Sequence, residues 1–407
     1  MKLVLVADGR STITRSWLAC LTGKGTDVFL VSTFPCEKPQ QVQEMLILPV
    51  AFSSLAGGQV SIGGQKKRSG GWLRKGISFL RESFQQLRYR LGPLTLQFYR
   101  KRYLDFINSV QPDLVHALRI PFESMLASFT PVQYPLIVST WGNDLTLHAC
   151  GSKRMAAWTR KTLQRANGLM ADADRDLKLA VDWGYRDTHP VLMVPGNGGL
   201  DLGYFQKLNE HKKEKKISDG SQVYRIINPR GFRPDSVHQD VFFNTIPGIL
   251  KRIPNVQFIC TAMAGQAAAE RRVRELGIES QVQLLPYLPQ KELWNLYQSC
   301  DIYLSLSSHD GTPNTFLEAI ACGCFPIVGD IPSLRYWIKQ GKTGMLVDPT
   351  NVDQIVEAVV KALHAKELRE AAGLLNWDLV NEKVDRKKIR KRVFDFYKRF
   401  HTNTRTN

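Results

Sequence analysis

Several kinds of segment are absent from the sequence or scarce in it. No stretch approaches the roughly 18 consecutive apolar residues that a membrane-spanning helix needs. The apolar run Leu3–Ala7 is too short for a signal peptide and predicts a first strand. The seven cysteines are scattered, an odd number without a paired framework, which indicates a reduced, cytoplasmic compartment. Cys322 and Cys324 form a lone C-x-C, which favours packed thiols over a metal site. We expect no metal and no bound cofactor.

Acidic residues are scarce in three segments. The chain carries a net charge of +18, and residues 66–104 hold 11 Lys/Arg against one acid. Residues 383–407 hold ten against two and residues 207–216 hold five against two, so the rest of the chain is nearly neutral. Basic charge confined to segments indicates an anionic surface partner more than a general property of the fold.

Short apolar runs rich in β-branched residues alternate with helical patterns along the whole chain. Six runs precede a polar, lysine-rich stretch at 206–222 and six follow it, which predicts two doubly wound α/β domains with parallel sheets. We expect domains at 1–205 and 223–382, a linker at 206–222, and a basic C-terminal helix and tail at 383–407. The predicted strands are 3–8, 27–33, 114–118, 136–140, 168–173 and 191–196, then 224–231, 256–262, 282–288, 302–308, 325–330 and 344–349.

A basic insert at about 61–104 interrupts the first domain. Trp72, Phe79, Leu80, Phe84, Leu87 and Leu91 approximate one helical stripe, with arginines mostly off it. A basic amphipathic helix of this kind binds anionic membranes, whereas the alternative is a helix packed on the domain with a solvated arginine face. Both interpretations stay open, and with them a peripheral location on the inner face of the membrane. The C-terminal segment is amphipathic as well.

Polar and charged side chains fall at the carboxyl ends of the predicted strands, where open parallel sheets bind ligands. In the first domain they are Arg10, His116, Trp141, Asp144 and Asn197. His116 lies inside an apolar strand, which favours a structural role over a catalytic one, and Trp141 fits a sugar-stacking or a core position equally well.

Neither G-x-G-x-x-G before a helix nor G-x-x-x-x-G-K-[ST] is present, so phosphate recognition needs another element. The stretch 307–328, SSHDGTPNTFLEAIACGCFPIV, supplies one. Thr312 is a predicted N-cap with Pro313 at the first helical position. The amides of Asn314 and Thr315 then form an anion site at the positive end of a helix, and Glu318 lies on the same face one turn deeper. Gly311 lets a ligand approach the backbone closely.

The stretch 307–328 resembles the donor-site motif of retaining, two-domain glycosyltransferases of the large family 4, or group 1, type, in which seven residues separate two carboxylates. The segments ADGRSTITRSW, VSTWGNDL, PGNGGLDLGYF and INPRGF are similar to further family segments in the expected order. The resemblance covers most of the chain. It implies the GT-B fold, with two Rossmann-like domains facing a cleft and a C-terminal helix that crosses back to the first domain.

By this resemblance Glu318 binds the donor ribose, Asp310 contacts the transferred sugar, and the amides of Asn314 and Thr315 hold the diphosphate. Arg230 stabilises the negative charge on the leaving group. The co-substrate is a UDP- or GDP-sugar, the acceptor is a glycan or a lipid-linked molecule, and no metal is required. Two donor-side positions depart from the family pattern, as do Trp141 and Ile13 in the first domain. Asp310 stands where the family usually has Glu, and Asp235 where it usually has Lys, for which Arg233 and His238 are the candidate substitutes.

Two other functions are weighed against this one. A sugar-nucleotide epimerase, or a sugar-nucleotide binder without turnover, would keep the fold and change the chemistry. A nucleic-acid-binding protein would use the basic segments, but it leaves the strand-end residues unexplained, so no nucleic acid is expected as partner.

Overall fold

The computed structural model describes residues 1–407 except 24, 54–72, 208–222, 233–235 and 402–407, and the backbone alone of 73–84 and 401. Trp72, the start of the basic insert, Arg233, Asp235 and nearly all of the predicted linker lie outside the described residues, as do the side chains of Phe79, Leu80 and Phe84. The chain divides into two compact units, which we call the first unit (Met1–Gly199 with Ile389–Asn407) and the second unit (Leu200–Lys388).

The first unit is built on a seven-stranded sheet in which every pairing is parallel. The strand order is β3-β2-β1-β4-β5-β6-β7. The strands are β1 Lys2–Ala7, β2 Asp27–Ser32, β3 Met45–Ile47, β4 Leu114–Ala117, β5 Leu136–Thr140, β6 Gly168–Ala171 and β7 Val191–Met193. The six predicted strands are confirmed with shorter bounds, and β3 was missed because three half-buried residues carry too little pattern.

Helices cover both faces of this sheet. One face packs against α2, α4 and α5, and the opposite face packs against α1 and α14. The helices are α1 Thr12–Leu21, α2 Leu73–Val110, α3 Met125–Ala127, α4 Lys153–Arg165 and α5 Asp174–Asp182, with short irregular helical turns at Val50–Phe52, Ile120–Ser124, Asp144–His148 and Ala149–Gly151. The C-terminal helix α14, Arg386–His401, packs its apolar side on the first unit, as expected for the crossing-back helix.

The second unit repeats the design with a six-stranded parallel sheet in the order β10-β9-β8-β11-β12-β13. The strands are β8 Tyr224–Asn228, β9 Val256–Cys260, β10 Val282–Leu284, β11 Ile302–Ser305, β12 Phe325–Gly329 and β13 Met345–Val347. The helices are α6 at 202–207, α7 Gln239–Arg252, α8 Ala267–Leu276, α9 Gln290–Gln298, α10 Asn314–Ala321, α11 Pro332–Arg335, α12 Val352–His364 and α13 Lys366–Lys383. Separate cores fill the two sheet faces, so this unit is also doubly wound, as predicted.

Candidate active site

Two neighbouring strands of the second unit end in the predicted catalytic residues. Arg230 follows β8 and Asp310 follows β11, and these two strands pair directly. Because parallel strands present their carboxyl ends at one sheet edge, the two side chains meet although 80 residues separate them. The Arg230 guanidinium donates through one terminal nitrogen to Asp310 Oδ2 and through the other to Thr315 Oγ1 at 3.3 Å.

Arg230 is only 6% exposed. Burial by itself lowers the pKa of an arginine, but the carboxylate of Asp310 more than offsets this and raises the pKa of Arg230 above its ordinary value. Its Nε–H is buried and has no hydrogen-bond partner among the described residues. The side chain is therefore fully charged and holds a donor that an anionic ligand could use.

The loop that carries Arg230 is fixed by its own hydrogen bonds. Asn228 Oδ1 accepts from the Arg230 amide at 3.2 Å, and Asn228 Nδ2 donates to Gln239 Oε1 at 2.7 Å. Gln239 Nε2 in turn donates to the carbonyl of Gly231 at 2.6 Å. Gly231 adopts φ +60°, where a side chain would be strained. A buried polar frame thus positions the arginine before any ligand arrives.

The helix α10 begins one residue later than the sequence predicts. Pro313, with extended backbone, is the N-cap, so the assignment of Thr312 as N-cap was wrong. Thr312 Oγ1 instead accepts a hydrogen bond from Trp337 Nε1 at 3.1 Å in the core, which occupies the oxygen that would have capped the helix. Thr315, in the first turn of α10, lies beside Arg230, and its hydroxyl also contacts Tyr303 Oη at 3.1 Å.

Asp310 is anchored from both sides. Its carboxylate accepts from the Gly311 amide at 3.0 Å as well as from Arg230, and its backbone carbonyl accepts from Ser333 Oγ at 2.9 Å. Its side chain is 19% exposed. The aspartate is therefore the counter-ion of Arg230 in this structure, a contact that the sequence did not predict.

Glu318 lies one turn inside α10 and is 4% exposed. Burial raises the pKa of Glu318 to about 7, although a hydrogen bond from Gln290 Nε2 to its Oε1 at 2.7 Å acts in the opposite direction. Close by, the hydroxyl of Tyr297 is buried without a hydrogen-bond partner among the described residues. Sequence reasoning missed Gln290 and Tyr297 because α9 carries no motif.

In the first unit, Arg10 lies beyond the end of β1 and is held by its own loop. Its Nε and a terminal nitrogen both donate to the Asp8 carboxylate at 3.1 Å, and its guanidinium lies 3.7 Å from the centre of the Phe34 ring. Ser11 caps α1 by accepting from the Ile13 amide. Arg10 is thus oriented and largely neutralised by Asp8.

Asp144, which follows β5, organises a polar cluster at the same sheet edge. It is 1% exposed, and its carboxylate accepts from Arg119 Nε and from the amides of Ile120 and Trp141, each at 3.1 Å. Burial raises the pKa of Asp144, against the lowering effect of Arg119. Trp141 is half-buried against the core on the α1 side of the sheet.

The cluster continues to His148 and α2. Arg119 donates to His148 Nε2 at 2.9 Å, and because arginine only donates, this nitrogen carries no proton. The proton then sits on Nδ1, which lies 2.6 Å from Tyr89 Oη. Burial and the neighbouring Arg119 lower the pKa of His148 to about 3, so the imidazole is neutral. Sequence reasoning missed Arg119, Tyr89 and His148 because the residues come from separate segments.

His116 and Asn197 are placed differently from the other first-unit candidates. His116 is fully buried; its Nδ1 contacts Tyr397 Oη of α14 at 2.7 Å and its Nε2 contacts Ser139 Oγ at 2.8 Å. Burial lowers the pKa of His116 to about 3. Asn197 is 7% exposed and takes the left-handed conformation, φ +48°. The contacts of His116 match the structural role that its apolar strand favours.

A second buried carboxyl lies near this edge and was also missed. Glu123 is 5% exposed, and burial raises its pKa to about 7 although Arg119 and a hydrogen bond from Thr33 Oγ1 lower it. Arg88 of α2 donates to the carbonyl of Ala51, and burial is the main cause that lowers its pKa. Within the described ranges, no three His, Cys, Asp or Glu side chains are grouped as a metal site would require.

Comparison with known proteins gives one family match and several distant relatives. Residues 237–373, within the second unit, match the model of glycosyl transferases group 1. This region contains Asp310 and Glu318. The chain is 24% identical over 224 residues to a D-inositol 3-phosphate glycosyltransferase of Corynebacterium jeikeium, covering 53% of each chain. It therefore spans about half the length of that relative.

A GDP-mannose:cellobiosyl-diphosphopolyprenol alpha-mannosyltransferase of Xanthomonas campestris is 23% identical over 304 residues, 70% of this chain and 72% of that one. Among solved structures, Anabaena Alr3699/HepE in complex with UDP matches with a TM-score of 0.68 at 11% identity, over 97% of this chain and 99% of that one. Sucrose-phosphate synthase of Thermosynechococcus elongatus matches with a TM-score of 0.70 at 13% identity, over 99% and 100% of the chains. The chain has the GT-B fold.

Proposed function

We propose that this protein transfers a sugar from a nucleotide-diphospho-sugar to an acceptor hydroxyl, with retention of anomeric configuration and without a divalent metal. One observation carries the proposal: Arg230, Asp310 and Thr315 meet at the N-terminal end of α10, and Glu318 lies one turn deeper in the same helix. The group 1 match over residues 237–373 supports it, as do the sugar-transfer names of the relatives.

Each side chain has a role in this proposal. Glu318 accepts hydrogen bonds from the two ribose hydroxyls of the donor, and such bonds are strongest when the acceptor is a carboxylate. The diphosphate lies against Thr315 and the first-turn amides of α10, including Asn314, where the helix end favours an anion. Arg230 stabilises the charge that develops on the departing diphosphate, and Asp310, released from Arg230, contacts the transferred sugar.

The transfer balances without a protein nucleophile. The bond between the anomeric carbon and the diphosphate oxygen breaks, and the bond to the acceptor oxygen forms on the same face of the sugar. The acceptor proton passes to the departing diphosphate, so no side chain needs to act as base. This differs from retaining glycosidases, in which one carboxylate forms a covalent intermediate.

The finer assignments extend the same proposal. The donor carries UDP or GDP, in keeping with the UDP bound by the Anabaena neighbour and the GDP-mannose named for the Xanthomonas relative. The acceptor is a glycan or a lipid-linked molecule at the inner face of the membrane, and it approaches Arg10, Trp141, Asp144 and Asn197. Residues 1–205 serve the acceptor and residues 223–382 the donor.

Calorimetric titration with UDP-glucose and GDP-mannose tests the donor site. The wild-type protein should bind one of them, and Glu318→Ala should lose at least about tenfold in affinity, because a hydrogen bond to a charged group contributes about 1.5–3 kcal/mol. Glu367→Ala, which removes an exposed carboxylate of α13, is the matched control and should bind normally. Equal affinity of Glu318→Ala and wild type would overturn the assignment.

A second experiment separates transfer from the alternative chemistries. Proton NMR of the bound donor sugar, over hours and with a panel of glycan and lipid-linked acceptors, should show free nucleoside diphosphate together with a product of unchanged anomeric configuration. An epimerase would instead convert one nucleotide sugar into another without releasing the diphosphate. A binder without turnover would leave the spectrum unchanged, and either result would refute the proposed reaction.

A further inference from the structure

The helix α2 exposes an apolar stripe in its middle third. Leu87, Leu91, Leu94 and Phe98 are 45%, 37%, 54% and 79% exposed. They follow one another at intervals of three or four residues, so they lie on one face of the helix. Single exposed apolar residues are normal on a protein surface, but four aligned large ones mark a contact surface. We call these four residues the α2 stripe.

The opposite face of α2 fixes the orientation of the stripe. Tyr89 and Leu96 are buried, and Gly92 packs so closely that a Cβ there would lie 2.8 Å from the Phe122 ring. The Ala51 amide donates to Thr95 Oγ1 at 2.8 Å, which adds a hydrogen bond on the packed side. The helix therefore cannot rotate to bury the stripe without losing these contacts.

Exposed cations surround the stripe on α2 and on its neighbour α4. On α2, Arg90 and Lys101 lie on one side of the stripe and Arg102 on the other, by the 3.6-residue repeat of the helix. Arg154 of α4 donates to the Arg90 carbonyl at 2.9 Å, which brings the two helices together. We call the following exposed side chains the cationic rim: Arg90, Lys101, Arg102, Lys153, Arg154, Arg160 and Lys161.

Acidic side chains are nearly absent from the described parts of α2 and α4. The α4 sequence KRMAAWTRKTLQR contains none, and from residue 85 to its end α2 contains only Asp105. Arg100, which by the same repeat lies on the side of α2 away from the stripe, and Lys161 of α4 both lie over the Phe129 ring, at 5.3 and 5.5 Å, so the two helices lie side by side. Apolar side chains inside a ring of cations complement the acyl chains and the anionic headgroups of a bilayer surface.

We propose that the α2 stripe and the cationic rim dock the protein on an anionic lipid bilayer, with the stripe in the acyl–headgroup boundary and the rim against the phosphates. The inference builds on the membrane face named in the proposed function, but it assigns the contact to a specific surface. None of the described helices is long and apolar enough to cross a bilayer, and the proposed contact is interfacial.

The C-terminal helix α14 provides a contrast within the same unit. It is as basic as α2, yet its apolar residues Ile389, Val393 and Phe396 are buried against the sheet. It presents cations without an apolar stripe, and it packs on the opposite sheet face. A partner that recognised charge alone would bind α2 and α14 equally well. A bilayer also takes up apolar side chains, so it would bind the α2 surface in preference to α14.

Flotation of the full-length protein with vesicles tests the inference, because it measures lipid binding and not sugar transfer. Vesicles of phosphatidylcholine alone and with about one third phosphatidylglycerol are compared at low and at higher salt. We expect binding only to the anionic vesicles, weakened by salt. Failure of this binding would leave the donor-site experiments unaffected, and the reverse also holds.

Two variants and two matched controls locate the contact. The rim variant replaces Arg90, Lys101, Arg102 and Lys153 by Gln; since each cation near an anionic surface strengthens binding roughly fivefold, a loss of about several hundredfold is expected. The stripe variant Leu91→Ser/Leu94→Ser/Phe98→Ser should lose at least about tenfold. The charge control replaces Lys387, Lys388, Lys391 and Arg399 of α14 by Gln, and the apolar control replaces the exposed Val132 and Leu374 by Ser.

Both controls should bind within about threefold of wild type. The inference is overturned if wild type does not float with anionic vesicles at low salt, if the α14 control loses as much as the rim variant, or if the stripe variant binds normally. Binding of a fluorescent single-stranded oligonucleotide that depends on the rim, without vesicle binding, would assign the surface to nucleic acid instead. Unchanged thermal unfolding of all four variants ensures that the comparison reports on docking.

Discussion

Replacing Glu318 by Gln should make the second unit more stable above neutral pH and at the same time weaken donor binding. Burial raises the pKa of Glu318 from 4.5 to about 7. Between these values the unfolded chain releases its proton while the folded protein keeps it. The free energy of unfolding therefore falls as the pH rises through about 7, and the stability is complete only below about 4.5.

The size of the effect follows from the shift. At roughly 1.4 kcal/mol per pKa unit, the charged carboxylate lowers the free energy of unfolding by up to about 3 kcal/mol at pH 8.5. Gln keeps the shape and can still accept the Gln290 hydrogen bond, but it carries no charge. Melting of the second unit should thus rise by up to about 6–12 °C at pH 8.5, since 1 kcal/mol corresponds to about 2–4 °C at this size. At pH 4.5 the two proteins should melt together.

Donor affinity should move the other way. If the ribose needs the carboxylate, wild-type affinity for the bound nucleotide sugar falls about tenfold for each pH unit below 7, whereas the affinity of Glu318→Gln is low and nearly independent of pH. Differential scanning calorimetry and isothermal titration from pH 4.5 to 8.5 measure both effects, with the exposed Glu367→Gln as control. Equal melting at pH 8.5 would contradict the raised pKa of Glu318, and a wild-type affinity that stays flat through pH 7 would contradict ribose binding by its carboxylate.

Two further substitutions test the contacts that hold each unit together. Asp310→Asn leaves the buried Arg230 without its counter-ion and should lower the free energy of unfolding of the second unit by about 3–5 kcal/mol. The exposed Asp353→Asn is the control and should leave this free energy unchanged. Equal urea midpoints for Asp310→Asn and wild type would show that the pair does not stabilise the free protein. Tyr397→Phe removes the hydroxyl bonded to the buried His116 and should destabilise the first unit by about 1–3 kcal/mol in urea, whereas an unchanged midpoint would mean that α14 is held by its apolar contacts alone.

The strands of both sheets were predicted well, because parallel strands that are buried on both faces are continuous apolar runs. Such runs can be recognised in the sequence without knowing which strands pair. The helix that follows Asp310 and carries Glu318 one turn inside it was also predicted, because the spacing between these two residues is local. The error at Thr312 had a tertiary cause: the indole of Trp337 takes the hydroxyl that local rules assign to the cap. Local propensity states which residues can cap the helix, and here the contact with the buried Trp337 N–H decided between Thr312 and Pro313.

The contacts that the sequence could not predict join distant segments without a motif. Gln290 reaches Glu318 across 28 residues, and the cluster of Tyr89, Arg119 and His148 draws on three separate elements. Each depends on which side of a helix faces which strand end. Hydrophobic patterning sets the buried side of a helix, but it does not specify which polar residue of another element lies opposite.

The pairing of Arg230 with Asp310 bears on the aspartate at the position where the family that the 307–328 motif resembles usually has glutamate. A buried arginine without a counter-ion is costly, so the free protein needs an anion beside Arg230. Asp310 supplies it while the Gly311 amide and Ser333 hold its loop. On the proposed function, the donor diphosphate takes over this role and frees the carboxylate toward the sugar. Donor binding and the placement of Asp310 then become one event, because a single guanidinium exchanges one anionic partner for another.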